Sequence, residues 1–257
     1  MNGQGVDVIK LPRQGIALIA GDLHGNMEDF NKLMEIWGEQ STKDNHLILT
    51  GDFIHAMGSE NDKSLEILDK VRADCEKFEN FHLLLGNHEW ATITKLTLYK
   101  GGVNQSLNFE ELLKGKFGGQ WKEKLVEYTN FFKELPVAVK TANKVFISHA
   151  GPPKNINSLT EVMNITRKGY SNNLPLYELL WRRYGDYSKK DVDQFLENIG
   201  CRAMIVGHTP VDGYKLIGNQ LIISSSYTKG KKAYVELDLE REIHNGRDLK
   251  KMVKYFQ

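Results

Sequence analysis

Short apolar runs in this 257-residue chain repeatedly end in side chains that bind metals or move protons. Gly21-Asp22-Leu23-His24 follows the run Ile16-Ala17-Leu18-Ile19-Ala20, and Gly51-Asp52-Phe53-Ile54-His55 follows His46-Leu47-Ile48-Leu49-Thr50. Asn87 and His88 come after Phe81 to Leu85, His149 after Lys144 to Ile147, and His208 after Ala203 to Val206. Five of the eight histidines belong to this set. The residue types suit a pair of divalent cations. A carboxylate can bridge two ions, imidazole and amide oxygen complete each shell, and the lack of thiolate favours Mn, Fe or Zn. Two such ions, roughly 3.5–4 Å apart, stabilise the attacking and leaving oxygens of an in-line displacement. A water shared between them is acidified enough to attack at neutral pH, as zinc does for bound water.

Each motif alone is ordinary. A Gly-Asp after a strand is commonly a turn whose Asp caps the next helix, and a single histidine there is commonly a hydrogen-bonded core residue. The ordered set of five, each directly after an apolar run, is what marks a site.

The elements that must hold these residues read as strands alternating with helices. Met27 to Trp37 has helical spacing of Phe30, Leu33, Met34 and Trp37, and Ser64 to Phe78 carries Leu65, Leu68, Val71 and Cys75 on one face. Such alternation argues for a wound α/β sheet, with ligands beyond the carboxyl ends of its strands. Thr92 to Leu135 reads as mostly helical, a segment placed to overhang the site and shape access to it. Its stripe of Trp121, Leu125, Tyr128 and Phe132 has the spacing of a core face. Val137 to Val139 and Lys144 to Ile147 read as strands joined at Thr141-Ala142-Asn143. Tyr214 to Ile217, Leu221 to Ile223 and Ala233 to Leu237 read as a meander turning at Gly218-Asn219 and Lys229-Gly230. The basic tail, Arg247 to Lys254, reads as a helix with its charged face in water, and Lys229-Gly230-Lys231-Lys232 as a solvated turn, secondarily an anion contact.

At 40% hydrophobic and 26% charged residues the chain has the profile of a globular protein. With no Pro/Gly/Ser-rich linker, residues 1–257 are expected to form a single domain, the helical segment at about 92–135 inserted in it. A formal net charge of +1 gives no general pull toward nucleic acid, local patches aside. No apolar run approaches the length of a membrane span, and Met1 to Arg13 has no apolar signal region. Two cysteines, Cys75 and Cys201, are too few for a disulfide framework, which leads us to expect a cytoplasmic protein.

The motifs resemble those of the calcineurin-like metallophosphoesterases over about Gly15 to Leu237. Gly21-Asp22-Leu23-His24-Gly25 matches GDxHG, Gly51-Asp52 opens the second motif, and Gly86-Asn87-His88-Glu89 matches GNHE. Ser148-His149-Ala150-Gly151 and Gly207-His208-Thr209-Pro210 are similar to the fourth and fifth. The set resembles the phosphoprotein phosphatase branch, and Leu180-Trp181-Arg182-Arg183 its small phage and bacterial members, which share a Leu-Trp-x-Arg segment. The resemblance implies a four-layer α/β/β/α sandwich with a dinuclear metal site at the strand C-terminal ends. It assigns Asp22 and His24 to one metal and Asn87, His149 and His208 to the other, with Asp52 bridging. His88 becomes the acid that protonates the leaving oxygen, Arg183 the phosphate clamp with Arg182 as the substitute, and Glu89 a structural residue.

Two departures from the branch bear on substrate. Where it has GDxxDRG, this chain has Gly51-Asp52-Phe53-Ile54-His55-Ala56-Met57, so His55 replaces the aspartate that partners the acid and Ala56 replaces a second phosphate-binding arginine. Two imidazoles, His55 and His88, are then expected to face each other and to lower the pKa of the pair by repulsion. Ile223-Ser224-Ser225-Ser226 stands in place of IDTG. The expected activity is hydrolysis of phosphomonoesters, chiefly on Ser/Thr side chains of phosphoproteins, by a metal-bridging hydroxide, with phosphorylated protein or a small phosphoester as partner and manganese among the metals. Hydrolysis of a nucleotide, such as a dinucleoside polyphosphate, a cyclic nucleotide or a nucleic-acid end, is the alternative. A non-catalytic scaffold would have no need to keep all seven of Asp22, His24, Asp52, Asn87, His88, His149 and His208.

Overall fold

The computed structural model describes residues 6–56, 61–100 and 102–256. Met57, the last residue of the second motif, and Met1 to Gly5 lie outside the described residues. The strands are β1 (Val8–Leu11), β2 (Ile16–Ala20), β3 (His46–Leu49), β4 (Phe81–Leu83), β5 (Tyr99–Lys100), β6 (Val103–Asn104), β7 (Ala138–Thr141), β8 (Val145–Ser148), β9 (Ala203–Val206), β10 (Tyr214–Ile217), β11 (Gln220–Ile223), β12 (Ala233–Asp238) and β13 (Val253–Tyr255). The helices are α1 (Met27–Gln40), α2 (Ser64–Lys77), α3 (Asn87–Thr94), α4 (Gln105–Phe117), α5 (Trp121–Glu134), α6 (Leu159–Val162), α7 (Leu174–Trp181), α8 (Lys189–Asn198) and α9 (Gly246–Lys250).

Two sheets stack face to face. One runs β13-β12-β2-β3-β4 and the other β1-β7-β8-β9-β11-β10. Strands β2, β3 and β4 are parallel, as are β8, β9 and β11, so their carboxyl ends point the same way within each sheet. Side-chain alternation then sets the layers. Ala17 and Ile19 join Val145, Ile147, Ala203, Ile205, Leu221, Ile223, Val235 and Leu237 in a core of strand residues from both sheets. Their neighbours Leu18 and Ala20 turn outward to Phe30 and Leu33 of α1, while Phe146 and Met204 turn outward to Leu179 of α7 and Phe195 of α8. Burial on both faces is why these strands read as unbroken apolar runs. The result is the helix–sheet–sheet–helix sandwich. Tyr128 and Phe132 are buried in the outer core, with Trp121 and Leu125 packed against it, so the aromatic stripe is a packing face.

Three expected elements differ. The last strands are not one meander: β10 and β11 form the antiparallel hairpin, but β12 crosses to pair with β2, with Val235 opposite Ile19. Both edges of β11 are already occupied by β10 and β9, which leaves β12 no partner there. The basic tail is only briefly helical. After α9 it becomes β13 on the edge of β12, because Met252 and Val253 are apolar and pack on the inter-sheet core. Between Thr92 and Leu135 the chain is helical in α4 and α5, preceded by the small β5–β6 hairpin.

Candidate active site

The carboxyl ends of β2, β3, β8 and β9, with the first turn of α3 after β4, converge at one end of the sandwich. The chain there is bent sharply. His24, Asp52, His55 and His208 all have left-handed backbones, with φ of 47°, 55°, 67° and 62°. Non-glycine residues held so cost on the order of 1–3 kcal/mol each and persist only where surrounding contacts impose them. Those contacts are visible. His208 N–H donates to Asp22 Oδ1 at 2.9 Å and His88 N–H to Asp52 Oδ1 at 3.0 Å. Glu89 is fully buried, and its carboxylate accepts the N–H groups of Asp52 at 2.9 Å and Phe53 at 2.8 Å, holding the loop that carries Asp52. Gly207 permits the close approach: a Cβ there would stand 2.6 Å from Asp22 Oδ1.

Asp52 is central. Its Oδ2 lies 3.5 Å from His149 Nε2 and 3.8 Å from both His24 Nε2 and His88 Nε2. Asp22 Oδ2 lies 3.7 Å from His24 Nε2. On the other side His149 Nε2 meets Asn87 Oδ1 at 2.8 Å and His208 Nδ1 at 3.1 Å. The outer nitrogens orient the rings. His149 Nδ1 is 2.9 Å from Thr50 O and His24 Nδ1 is 3.3 Å from Ile54 O, so in the neutral rings these N–H groups donate outward. That leaves Nε2 of each as a bare lone pair turned inward, the second-sphere arrangement typical of metal-binding histidine. His208 Nε2 lies 3.1 Å from Trp181 O and also 3.1 Å from Arg183 Nε, two contacts that need opposite tautomers. With Nδ1 facing His149, the proton belongs on Nε2 and goes to the Trp181 carbonyl.

Lone pairs of His149, His208 and Asn87 thus converge, a repulsive arrangement that a cation relieves. The carboxylates say the same. Asp52 is pushed above its ordinary value by burial, with the Asp22 charge adding to it and His149 opposing. Burial acts to raise Asp22 too, but the His24 hydrogen bond and nearby imidazoles hold it below the usual carboxylate range. Burial, then the Asp52 charge, pushes Glu89 up to about 7. His24, Asp52 and His88 form one cluster of potential ligands and Asp52, His149 and His208 another, sharing Asp52. The donor set fits two divalent cations.

Above these residues opens a cavity of about 190 Å³ lined by Asp22, His24, Asp52, His88 and His208. Arg183 lines it too, whereas Arg182 is buried elsewhere, donating through Nη1 to Pro152 O at 2.7 Å and through Nη2 to Asp186 O. Thr209 and Pro210 line the cavity as well, and so does the segment that carries Ile223, Ser224, Ser226, Tyr227, Thr228 and Lys229. Sequence reasoning took its lysines chiefly as solvated, and the only signal of a wall was the Ser224-Ser225-Ser226 departure.

His55 is buried under His88, with the two Nδ1 atoms 2.8 Å apart. Its other face meets Phe109 of α4 edge-on, ring centres 5.6 Å apart. The helical segment therefore touches the site through the contact of Phe109 with His55. The pKa of His55 falls to about 3, but chiefly through burial, with His24 rather than His88 as the charge that adds to it. Ala56 is buried as well.

A sequence model of the family described as calcineurin-like phosphoesterase matches residues 17–212. Among solved structures, the chain is similar to a protein serine/threonine phosphatase from Saccharomyces cerevisiae with similarity to human phosphatase PP5. The identity is 18% over 99% of this chain and 84% of that one, with a TM-score of 0.71. A cold-active protein-tyrosine phosphatase of a psychrophilic Shewanella species is similar at 15% identity over 98% and 82% of the two chains, with a TM-score of 0.67. At such identities the likeness is one of fold.

Proposed function

This chain belongs to the calcineurin-like phosphoesterase family, and from that premise we propose that it is a phosphomonoesterase acting on phosphorylated Ser/Thr side chains. The observation that carries the reading is Asp52 Oδ2, within 3.8 Å of three imidazole nitrogens at the floor of a cavity walled by Arg183. The family uses divalent metals. In this reading Asp22 and His24 hold one ion, Asn87, His149 and His208 hold the other, and Asp52 is shared. The bound ions supply an activated water and neutralise charge on the phosphoryl group.

The remaining work falls to side chains. The Arg183 guanidinium offers two parallel N–H groups to the phosphoryl oxygens and orients the ester. His88 presents Nε2 toward the cavity and donates a proton to the leaving oxygen. His55 serves that acid from beneath. The wall from Ser224 to Lys229 limits how the leaving group can lie.

A second reading, hydrolysis of a nucleotide ester, is favoured by Ala56, which removes a cation that would grip a dianion. Protein loaded in turn with Mn, Fe or Zn and assayed against phosphopeptides, diadenosine polyphosphates and bis(p-nitrophenyl) phosphate separates the two. We expect the highest kcat/KM on phosphoserine and phosphothreonine peptides. Preference for the nucleotides or the diester overturns the first reading, and inactivity toward every ester overturns both.

A further inference from the structure

The segment after β11 carries three lysines, and the structure gives them different environments. It is tied down along its length. Ser225 Oγ accepts Gly21 N–H at 2.7 Å and donates to Ala233 O at 2.7 Å. Ser226 Oγ donates to Asp29 Oδ2 at 2.6 Å. Asp29, fully buried in the first turn of α1, also receives Lys232 Nζ at 2.7 Å. Between these anchors Lys231 N–H donates to Asp212 Oδ1 at 2.7 Å. The strap formed by residues 226–232 is thus held at both ends by one buried carboxylate.

Of its three ammonium groups, that of Lys232 is committed to Asp29, and that of Lys231 lies 5.6 Å from the centre of the Tyr255 ring. Lys229 has no carboxylate or ring partner among the described residues and lines the same cavity as Arg183. The position where the resembled phosphatases carry a second arginine holds buried Ala56. A doubly charged ester entering the cavity thus meets one guanidinium and one ammonium in its lining.

We infer that Lys229 is a specificity-determining residue whose ammonium contacts an anionic oxygen of the substrate. The inference rests on the phosphoesterase reading of the site. Two sources of that oxygen share the chemistry: the scissile phosphoryl group, and an acidic group flanking it. A flexible four-carbon stem from a fixed strap suits either. Lysine reads charge rather than shape, so the contact favours dianions over monoanions without demanding one orientation.

The test compares wild type with Lys229→Gln, Lys229→Arg and, as a control on the same strap, Lys231→Gln. Metal content and Tm are measured alongside KM and kcat. Lys229→Gln is expected to raise KM roughly three- to tenfold, the scale of one charge-assisted contact at a wet rim. The expected kcat, metal content and Tm are unchanged, Lys229→Arg restores KM, and Lys231→Gln behaves as wild type. The rise should shrink with added salt. p-Nitrophenyl phosphate carries only the phosphoryl charge, so a rise on it places the contact there. A rise confined to phosphopeptides with flanking acidic residues places it on the flank. An unchanged KM on both substrates, or a Lys229→Arg variant as impaired as Lys229→Gln, overturns the inference. Wild-type protein inactive on every ester would overturn the phosphoesterase reading instead.

Discussion

The Nδ1 atoms of His55 and His88 stand 2.8 Å apart, so a proton lies between them and one ring donates to the other. His55 Nε2 is buried with no hydrogen-bond partner among the described residues, and burial keeps that ring neutral. With the His55 proton on Nδ1, that nitrogen is the donor of the shared contact. His88 Nδ1 must then accept, and the proton of neutral His88 sits on Nε2, the nitrogen turned to the cavity. An aspartate in place of His55 would stabilise the imidazolium by opposite charge. A neutral histidine instead selects the tautomer that can donate.

His88→Asn should slow a phosphoserine peptide by about 10²–10⁴-fold, the usual contribution of a positioned acid. An aryl phosphate, whose leaving oxygen needs little protonation, should lose far less. Parallel kcat measurements decide it, and equal losses would assign His88 to metal binding, as its place beside His24 and Asp52 also permits.

His55→Asp combined with Ala56→Arg should raise kcat/KM for phosphomonoesters relative to diesters, because the pair restores one anion behind the acid and one cation before the dianion. The ratio on p-nitrophenyl and bis(p-nitrophenyl) phosphate is the readout. An unchanged or lower ratio would show that the charge is already supplied from another residue, of which Lys229 is the candidate.

Asp52→Asn should lower the content of both metals together and abolish turnover, since Oδ2 faces ligands of both proposed sites. Metal analysis of the purified variant tests this. Full loading with retained activity would remove Asp52 from its shared position.

Arg183→Ala and Arg182→Ala should fail differently. The first should cut kcat/KM by about tenfold or more while metal content and Tm hold, as expected for a lost charge-assisted pair. The second removes a buried guanidinium whose partners are carbonyls of Pro152 and Asp186. It should lower Tm and reduce activity only through the fold. Reversed results would mean that the inner arginine turns to the substrate.

Away from the site, His46 and His82 pair at 3.0 Å between β3 and β4. Burial, then the neighbouring His46, lowers His82 from 6.5 to about 4. The unfolded chain therefore binds a proton that the folded one refuses. Stability is full above about pH 6.5 and falls as the pH drops toward 4. The loss from His82 should reach about 2 kcal/mol by pH 5. Urea unfolding at pH 7 and pH 5 should show His82→Gln losing less than wild type between the two. An identical loss would exclude His82 as the source.

Sequence alone indicated where most strands lie along the chain and which of their ends carry candidate ligands, because both are local. A strand buried on two faces shows as an apolar run, and the turn that ends it announces itself by glycine and by the polar residues it presents. Asp22, Asp52, Asn87, His149 and His208 each follow such a run, and parallel pairing gathers the ends of β2, β3 and β4 in one sheet and those of β8 and β9 in the other. Only the tertiary structure decided what depends on contacts across the chain. Arg182 and Arg183 are adjacent and chemically alike, and the carbonyls of Pro152 and Asp186 draw one inward while the other lines the cavity. Strand β12 left its expected hairpin partner because the edges of β11 were already taken. The strap that carries Lys229 is set by Asp29, about two hundred residues earlier. No periodicity records such pairings, since each is fixed by which polar groups burial leaves without another partner.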